Sequence, residues 1–192
     1  MRDGSDTFFS GGVEDCYRGL REAGPMTAKK ITVERVTLVS NRSFEEVLGL
    51  LDKGIGRPNL GELGRRLNEA ATFEEYASVI RGVVGSADLM EFLRLDLGSA
   101  LRKDPAAKAY KIVRIIAGNP LIMKQMAEHV PDAGSYAPVT ILVYERNDGV
   151  HVSYDMMASY LAACGDEKAL QVARDLDAKV TRLLTEATAP AV

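Results

Sequence analysis

Residues 118–155 read GNPLIMKQMAEHVPDAGSYAPVTILVYERNDGVHVSYD, and this stretch decides the fold. Asn119 precedes Pro120 at the head of an apolar run. An asparagine oxygen accepts a free amide at a helix start, and proline fits the first helical position because its missing amide would have no partner there. A helix is therefore predicted from Asn119 to about His129, with Pro131 preventing its continuation. Residues 138–145 (PVTILVYE) and 150–157 (VHVSYDMM) alternate apolar and polar side chains around Asn147-Asp148-Gly149. Asp-Gly between two alternating runs is a strong hairpin signal. The stretch is thus helix, loop, strand, tight turn, strand.

Working outward, a last helix from about Asp166 to Thr185 sets Ala169, Val172, Ala173, Leu176, Val180, Leu183 and Leu184 at helical spacing. Upstream, residues 111–117 (KIVRIIA) and 88–97 (DLMEFLRLDL) read as strands, the second with Leu93, Leu95 and Leu97 facing one way. Before them, Ser43-Phe44-Glu45-Glu46 is a capping box, in which serine and glutamate each satisfy a free amide. It opens a helix ended by Gly54. Asn59 to Glu62 and Thr72 to Glu75 carry much the same signature and predict two more helices, the second stopping at Gly85. Residues 31–39 (ITVERVTLV) suit a half-buried strand. Strand, helices, two strands, helix, hairpin, helix is the order of an α+β domain.

At 192 residues the chain fits one ordinary domain plus an extension, or at most two small domains. Residues 1–28 hold five of the 17 glycines and little periodicity. They read as a flexible N-terminal extension to a single domain over 29–192. Met26 is a candidate natural start, which would leave Cys16 without a role. Apolar residues at 46 % and charged residues at 27 % are globular composition. A net charge of −3 argues against nucleic-acid or anionic-membrane partners, which draw on surplus Lys and Arg. No run approaches the ~20 apolar residues of a membrane span. Asp3, Asp6, Glu14 and Asp15 interrupt any signal-peptide core. The two cysteines, Cys16 and Cys164, form no CxxC pair, so a reducing compartment is expected, by default the cytoplasm.

The chain resembles the domain-of-unknown-function 302 family, small and mostly bacterial proteins. The resemblance rests on TVERVTLVSNRSFEEVLGLLD, LMEFLRLDLGSAL, GNPLIMKQM and DAGSYAPVTILVYERNDGVHVSYD, and covers most of residues 31–187. It implies helices packed on an antiparallel-rich sheet, a C-terminal hairpin followed by a long helix, and a homodimer. It implies no reaction. Many members carry Asp-His after the second strand, where this chain has Asp96-Leu97. Any ligand or metal that depends on that histidine is not expected here.

His151, Ser153 and Asp155 have the residue types of a hydrolytic triad. Same-face residues on a strand sit ~6.6 Å apart, however, and a triad needs contacts of ~3 Å, so a solvated strand face is the better reading. His129 stands at a helix end, where imidazolium meets the carbonyl dipoles. Neither histidine has a Cys or carboxylate at metal-ligand spacing, so no metal is expected. No GxGxxG or GxxxxGK[ST] run predicts a cofactor. Met123, Met126, Met156 and Met157 read as core filling rather than a cofactor lining. Arg102, Lys103, Lys108, Lys111 and Arg114 read as a solvated connection, and Cys164 as an idle or buried thiol.

Five residues remain as a weak ligand site: Asp96, Asn119, Tyr136, Tyr154 and Asp155. Asn119 opens a helix whose free amides could meet an anion, and Tyr136 sits in a short loop between helix and strand. Tyr154-Asp155 ends the hairpin, with Asp155 also a candidate helix cap. The reading is a small-molecule-binding homodimer. One alternative is an enzyme with Asp96 or Asp155 as general acid or base, which needs a carboxyl raised by burial. The other is a ligand-free module whose apolar surface pairs subunits.

Overall fold

The computed structural model describes residues 28–190. The predicted extension over 1–28, with Cys16 and Met26, lies outside the described residues but for its last position. The described elements run β1 (Arg35–Ser40), α1 (Phe44–Gly54), β2 (Ile55–Gly56), α2 (Leu60–Glu69), α3 (Phe73–Arg81), β3 (Leu89–Asp96), α4 (Gly98–Leu101) and β4 (Ile112–Gly118). Then follow α5 (Pro120–Ala127), a 3-10 turn (Pro131–Ser135), β5 (Val139–Arg146), β6 (Gly149–Asp155), α6 (Met157–Leu161), a second 3-10 turn (Ala162–Cys164) and α7 (Glu167–Thr188).

The strands make one sheet in the order β1-β6-β5-β4-β3-β2. All neighbours are antiparallel except β2, which runs parallel to β3 through Ile55 and Met90's neighbour Leu89. The sheet is therefore mixed, antiparallel-rich with one parallel edge. A two-residue strand has no alternation to read, so β2 left no trace in the sequence pattern.

The caps explain the helix starts. Ser43 and Thr72 complete capping boxes with Glu46 and Glu75, and Asn59 accepts from the Glu62 amide. Two boundaries differ from expectation. β1 begins at Arg35 rather than residue 31, because its ladder partner β6 ends at Asp155, opposite Arg35. α3 ends at Arg81 with Gly82 as its cap, short of Gly85. Gly85 is instead pressed against Gly54, where a Cβ would lie 2.3 Å from the Gly54 carbonyl oxygen.

One face of the sheet, with Ile115, Ala117, Ile141, Val143, Val152 and Tyr154, is buried against α1, α5 and α7. A smaller core of Leu63, Ile80 and Met90 joins α2 and α3 to the β3 end. The register slips between Glu91 and Leu93, leaving Phe92 as an extra residue. On the opposite face stand Thr37 and Val39, then His151 and Ser153, then Leu142 and Tyr144, then Arg114 and Ile116, and last Leu93. Val39 and Leu93 are about half exposed there.

Candidate functional site

The face that no described helix covers, on which His151 and Ser153 are nonetheless buried, ends in a cleft of about 490 Å³, where α6 and the 3-10 turn at Pro131–Ser135 come round the ends of β5 and β6. Arg35, Arg114, Tyr136, Thr140, Leu142 and Ser153 are among its walls, with Asp155 and Tyr160. That volume lies within the ~300–1,000 Å³ of ordinary small-molecule sites.

Asp155 ends β6 opposite Arg35 on β1. Arg35 Nε donates to one carboxylate oxygen at 2.5 Å and Nη2 to the other at 2.8 Å, a fork-on-fork pair. The Tyr160 hydroxyl donates to the same carboxylate at 3.3 Å. The Arg35 bond and charge hold the Asp155 carboxyl below the usual 3.8, so it is ionised at neutral pH. The Tyr160 ring stacks on Tyr136, with centroids 4.6 Å apart and planes inclined by 18°. Tyr136 sits just before the cis peptide at Ala137–Pro138.

Tyr154 borders the cleft but points into the core, and its ring is buried. Its hydroxyl donates to Asp177 on α7 at 2.6 Å, and burial first, then the Asp177 charge, push it up from 10.0. Asp177 also accepts from the Met157 and Ala158 amides at 2.7 and 2.9 Å. It thereby caps α6 from another helix, since α6 has no side-chain cap of its own. Burial pushes the Asp177 carboxyl up, and the three donated bonds offset part of that. The expectation that Asp155 caps this helix is corrected: Asp155 is spent on Arg35 and Tyr160, and Asp177 does the capping.

Asn119 and Asp96 lie elsewhere. Asn119 lines a second, apolar cavity of about 340 Å³, walled by Tyr76, Phe92, Ile122, Met123 and Met126 among others. Its side-chain oxygen takes the Leu121 amide, and its nitrogen donates to the Asp88 carbonyl and carboxylate. Both polar ends are thus engaged in holding the β3 start to the head of α5. The two cavities meet along Pro138 and Val139. Asp96 lines neither. It is exposed and paired with Arg102, whose hydrogen bond holds its carboxyl below 3.8. Leu97 does line the cleft. Asp96→Asn is accordingly expected to leave the melting temperature within about 1 °C of wild type, as for other exposed ion pairs; differential scanning calorimetry checks this.

His151 Nε2 bonds Asp148 at 2.9 Å and the ring tilts against Tyr144, so it engages neither Ser153 nor Asp155. Lys111 pairs with Glu45 and Glu145, and Lys108 with Asn147, which ties the basic stretch to its surroundings. Met126 and Met157 are buried core. Among the described residues, no group of three His, Cys, Asp or Glu is placed to hold a metal. No described helix is long and apolar enough to cross a membrane.

Sequence reading missed Arg35, Arg114, Tyr160 and Asp177. Asp177 did leave a signal: it lies four residues after Ala173 and three before Val180, inside the apolar stripe of α7. A carboxylate on such a stripe needs buried donors. Arg35 and Tyr160 left none, because their partners are 120 and five residues away across a turn that only the fold supplies.

No curated protein matches the chain. Its fold is similar to the crystal structure of an uncharacterized conserved protein DUF302 from Bacillus stearothermophilus, with a TM-score of 0.56 and 12 % sequence identity over 80 % of this chain and 97 % of that one. Residues 63–187 match the family described as Domain of unknown function DUF302. The matched span begins in α2 and takes in β3 to β6, the cleft walls on those strands, α6 and nearly all of α7. Three of the four resembling stretches fall inside it, while the strand and helix over 32–52 precede it. The chain belongs to the DUF302 family.

Proposed function

We propose that this protein is a small-molecule-binding module whose ligand site is the cleft at the β5–β6 end of the sheet. The observation that carries the reading is the cleft itself: a concavity of about 490 Å³ in which Tyr136 and Asp155 meet Tyr160, Arg35 and Arg114. A few oriented polar groups among apolar and aromatic walls are the usual make-up of such a site. We place the protein in the cytoplasm and take residues 29–192 as its single domain.

The acid–base alternative has less support. Asp155 and Asp96 are both held below the ordinary carboxylate range by arginines. A general acid at neutral pH needs the opposite shift. Among the described residues the one carboxyl that is raised, Asp177, faces helix-start amides rather than open space.

A homodimer is the second part of the proposal. Leu93 on β3 and Leu97 just after it are 47 % and 46 % exposed, and Val39 on β1 is 51 % exposed. Val39 and Leu93 stand on the open sheet face and Leu97 at the cleft, an apolar surface suited to a second copy.

Native mass spectrometry of untagged protein tests both parts. The expected result is a dimer carrying a small excess mass that disappears on denaturation and is not retained by Tyr160→Ala. An excess retained equally by Tyr160→Ala moves the ligand out of this cleft. A bare monomer defeats the dimer and leaves no retained ligand to explain.

A further inference from the structure

The charges around the cleft do not balance. Its lining holds two guanidinium groups, Arg35 and Arg114, and one carboxylate, Asp155. Both oxygens of Asp155 are taken by Arg35. Arg114 donates one bond, to the Thr140 hydroxyl at 3.2 Å, and has no carboxylate partner among the described residues. The lining thus carries one uncompensated positive charge.

That charge is well placed. Arg114 lies on β4, an interior strand, in register with Leu142 on β5, which is in register with Ser153 on β6. Arginine, leucine and serine therefore form one row across the cleft floor. Two residues further along β6 is Asp155, which accepts from Tyr160 of the stacked Tyr136–Tyr160 pair. The lining thus joins a cationic group, an apolar floor residue and an aromatic pair.

We infer that the cleft takes a small organic acid with a planar body: Arg114 receives the acidic group and the Tyr136–Tyr160 pair receives the plane. The inference rests on the cleft being the ligand site and specifies the ligand's class. Guanidinium presents a rigid fork of N–H donors that matches a carboxylate, while a neutral amide of the same shape offers only half the acceptors. The Arg35–Asp155 pair supplies a fixed polar wall and no net charge. Tyrosine pairs favour offset stacking of a further ring, which lends selectivity for flat ligands.

The test is a titration of the full-length, ¹⁵N-labelled chain followed by amide chemical shifts. The probes are 1-naphthoate, its uncharged analogue 1-naphthamide, and inorganic phosphate, each against wild type and Arg114→Gln. Arg114 is exposed, so the variant should keep the wild-type spectrum elsewhere, which the same data report.

In wild type, naphthoate should shift the amides of Leu142, Ser153 and Asp155 and bind about tenfold or more tightly than naphthamide, in line with a charge-assisted bond. Arg114→Gln should erase that difference and leave naphthamide unchanged. If naphthoate binds the variant as tightly as wild type, the anion assignment is overturned while the cleft stands. Phosphate binding as tightly as naphthoate would overturn the planar body. No shift in the cleft with any probe at millimolar concentration would overturn the site and the inference together.

Discussion

Asp177→Ala is expected to lose about 3–5 kcal/mol of folding stability, as follows when several buried donors are left without an acceptor. The donors are the Tyr154 hydroxyl and the Met157 and Ala158 amides, all of which end on this one carboxylate. Each buried donor without an acceptor costs about 1–3 kcal/mol, and the lost helix cap falls within the same sum. For a domain of this size the melting temperature should fall by roughly 10 °C. Asp177→Asn keeps one acceptor oxygen but turns an amide donor toward another donor, so about half the loss is expected. Tyr154→Phe removes one donor and its partner bond together and should cost only about 1 kcal/mol. Thermal melts of the three variants check the order. A melt of Asp177→Ala within about 2 °C of wild type would refute the trans-capping arrangement.

This contact bears on function because it sets the rear wall of the cleft. Tyr154 and Met157 border the cleft from the core side, and Tyr160 lies on the helix that Asp177 caps. A frayed α6 would release Tyr160 from Tyr136 and from Asp155. Affinity for the ligand proposed for this cleft should therefore fall in Asp177→Ala even at temperatures where the chain remains folded.

The fold was legible where local chemistry suffices. The capping boxes at Ser43 and Thr72, the Asn119-Pro120 helix start and the hairpin all depend on residues within four positions of each other, and all appear in the structure. The cleft was only half legible. Tyr136 and Asp155 attract notice by type and position, but they become neighbours only through the pairing of β1 with β6 and the return of α6. Asp96 misled for the same reason. Its position after a strand suits a site, yet its side chain meets Arg102, six residues on, in open solvent. Pairings that arise from topology leave no period in a sequence, so Arg35 and Arg114 read as ordinary surface charges.

Gly149→Val is the second large effect, expected at about 3 kcal/mol or more from combined backbone strain and a steric clash. The hairpin forms as the sequence predicts, but its glycine does different work from a turn-centre residue. Arg146 pairs with Gly149, so Asn147 and Asp148 are the two turn residues, and neither has positive φ. The positive value, +138°, falls on Gly149 at the first position of β6. That region is closed to β-branched side chains. A Cβ here would also lie 2.6 Å from the Ser40 carbonyl oxygen, at the end of β1. Valine must therefore push β1 off β6 at the end of their ladder. Among the described residues β1 is an edge strand with β6 as its sole sheet neighbour, and its other end carries Arg35, the partner of Asp155. Damage at Gly149 should thus lower the melting temperature by roughly 6–12 °C and also weaken the binding proposed for the cleft through loss of Arg35. Gly134→Ala is the matched control, because a Cβ at Gly134 meets nothing within 4 Å and its φ is not positive. If calorimetry places Gly149→Val as close to wild type as that control, the strand pairing that positions Arg35 over the cleft is wrong.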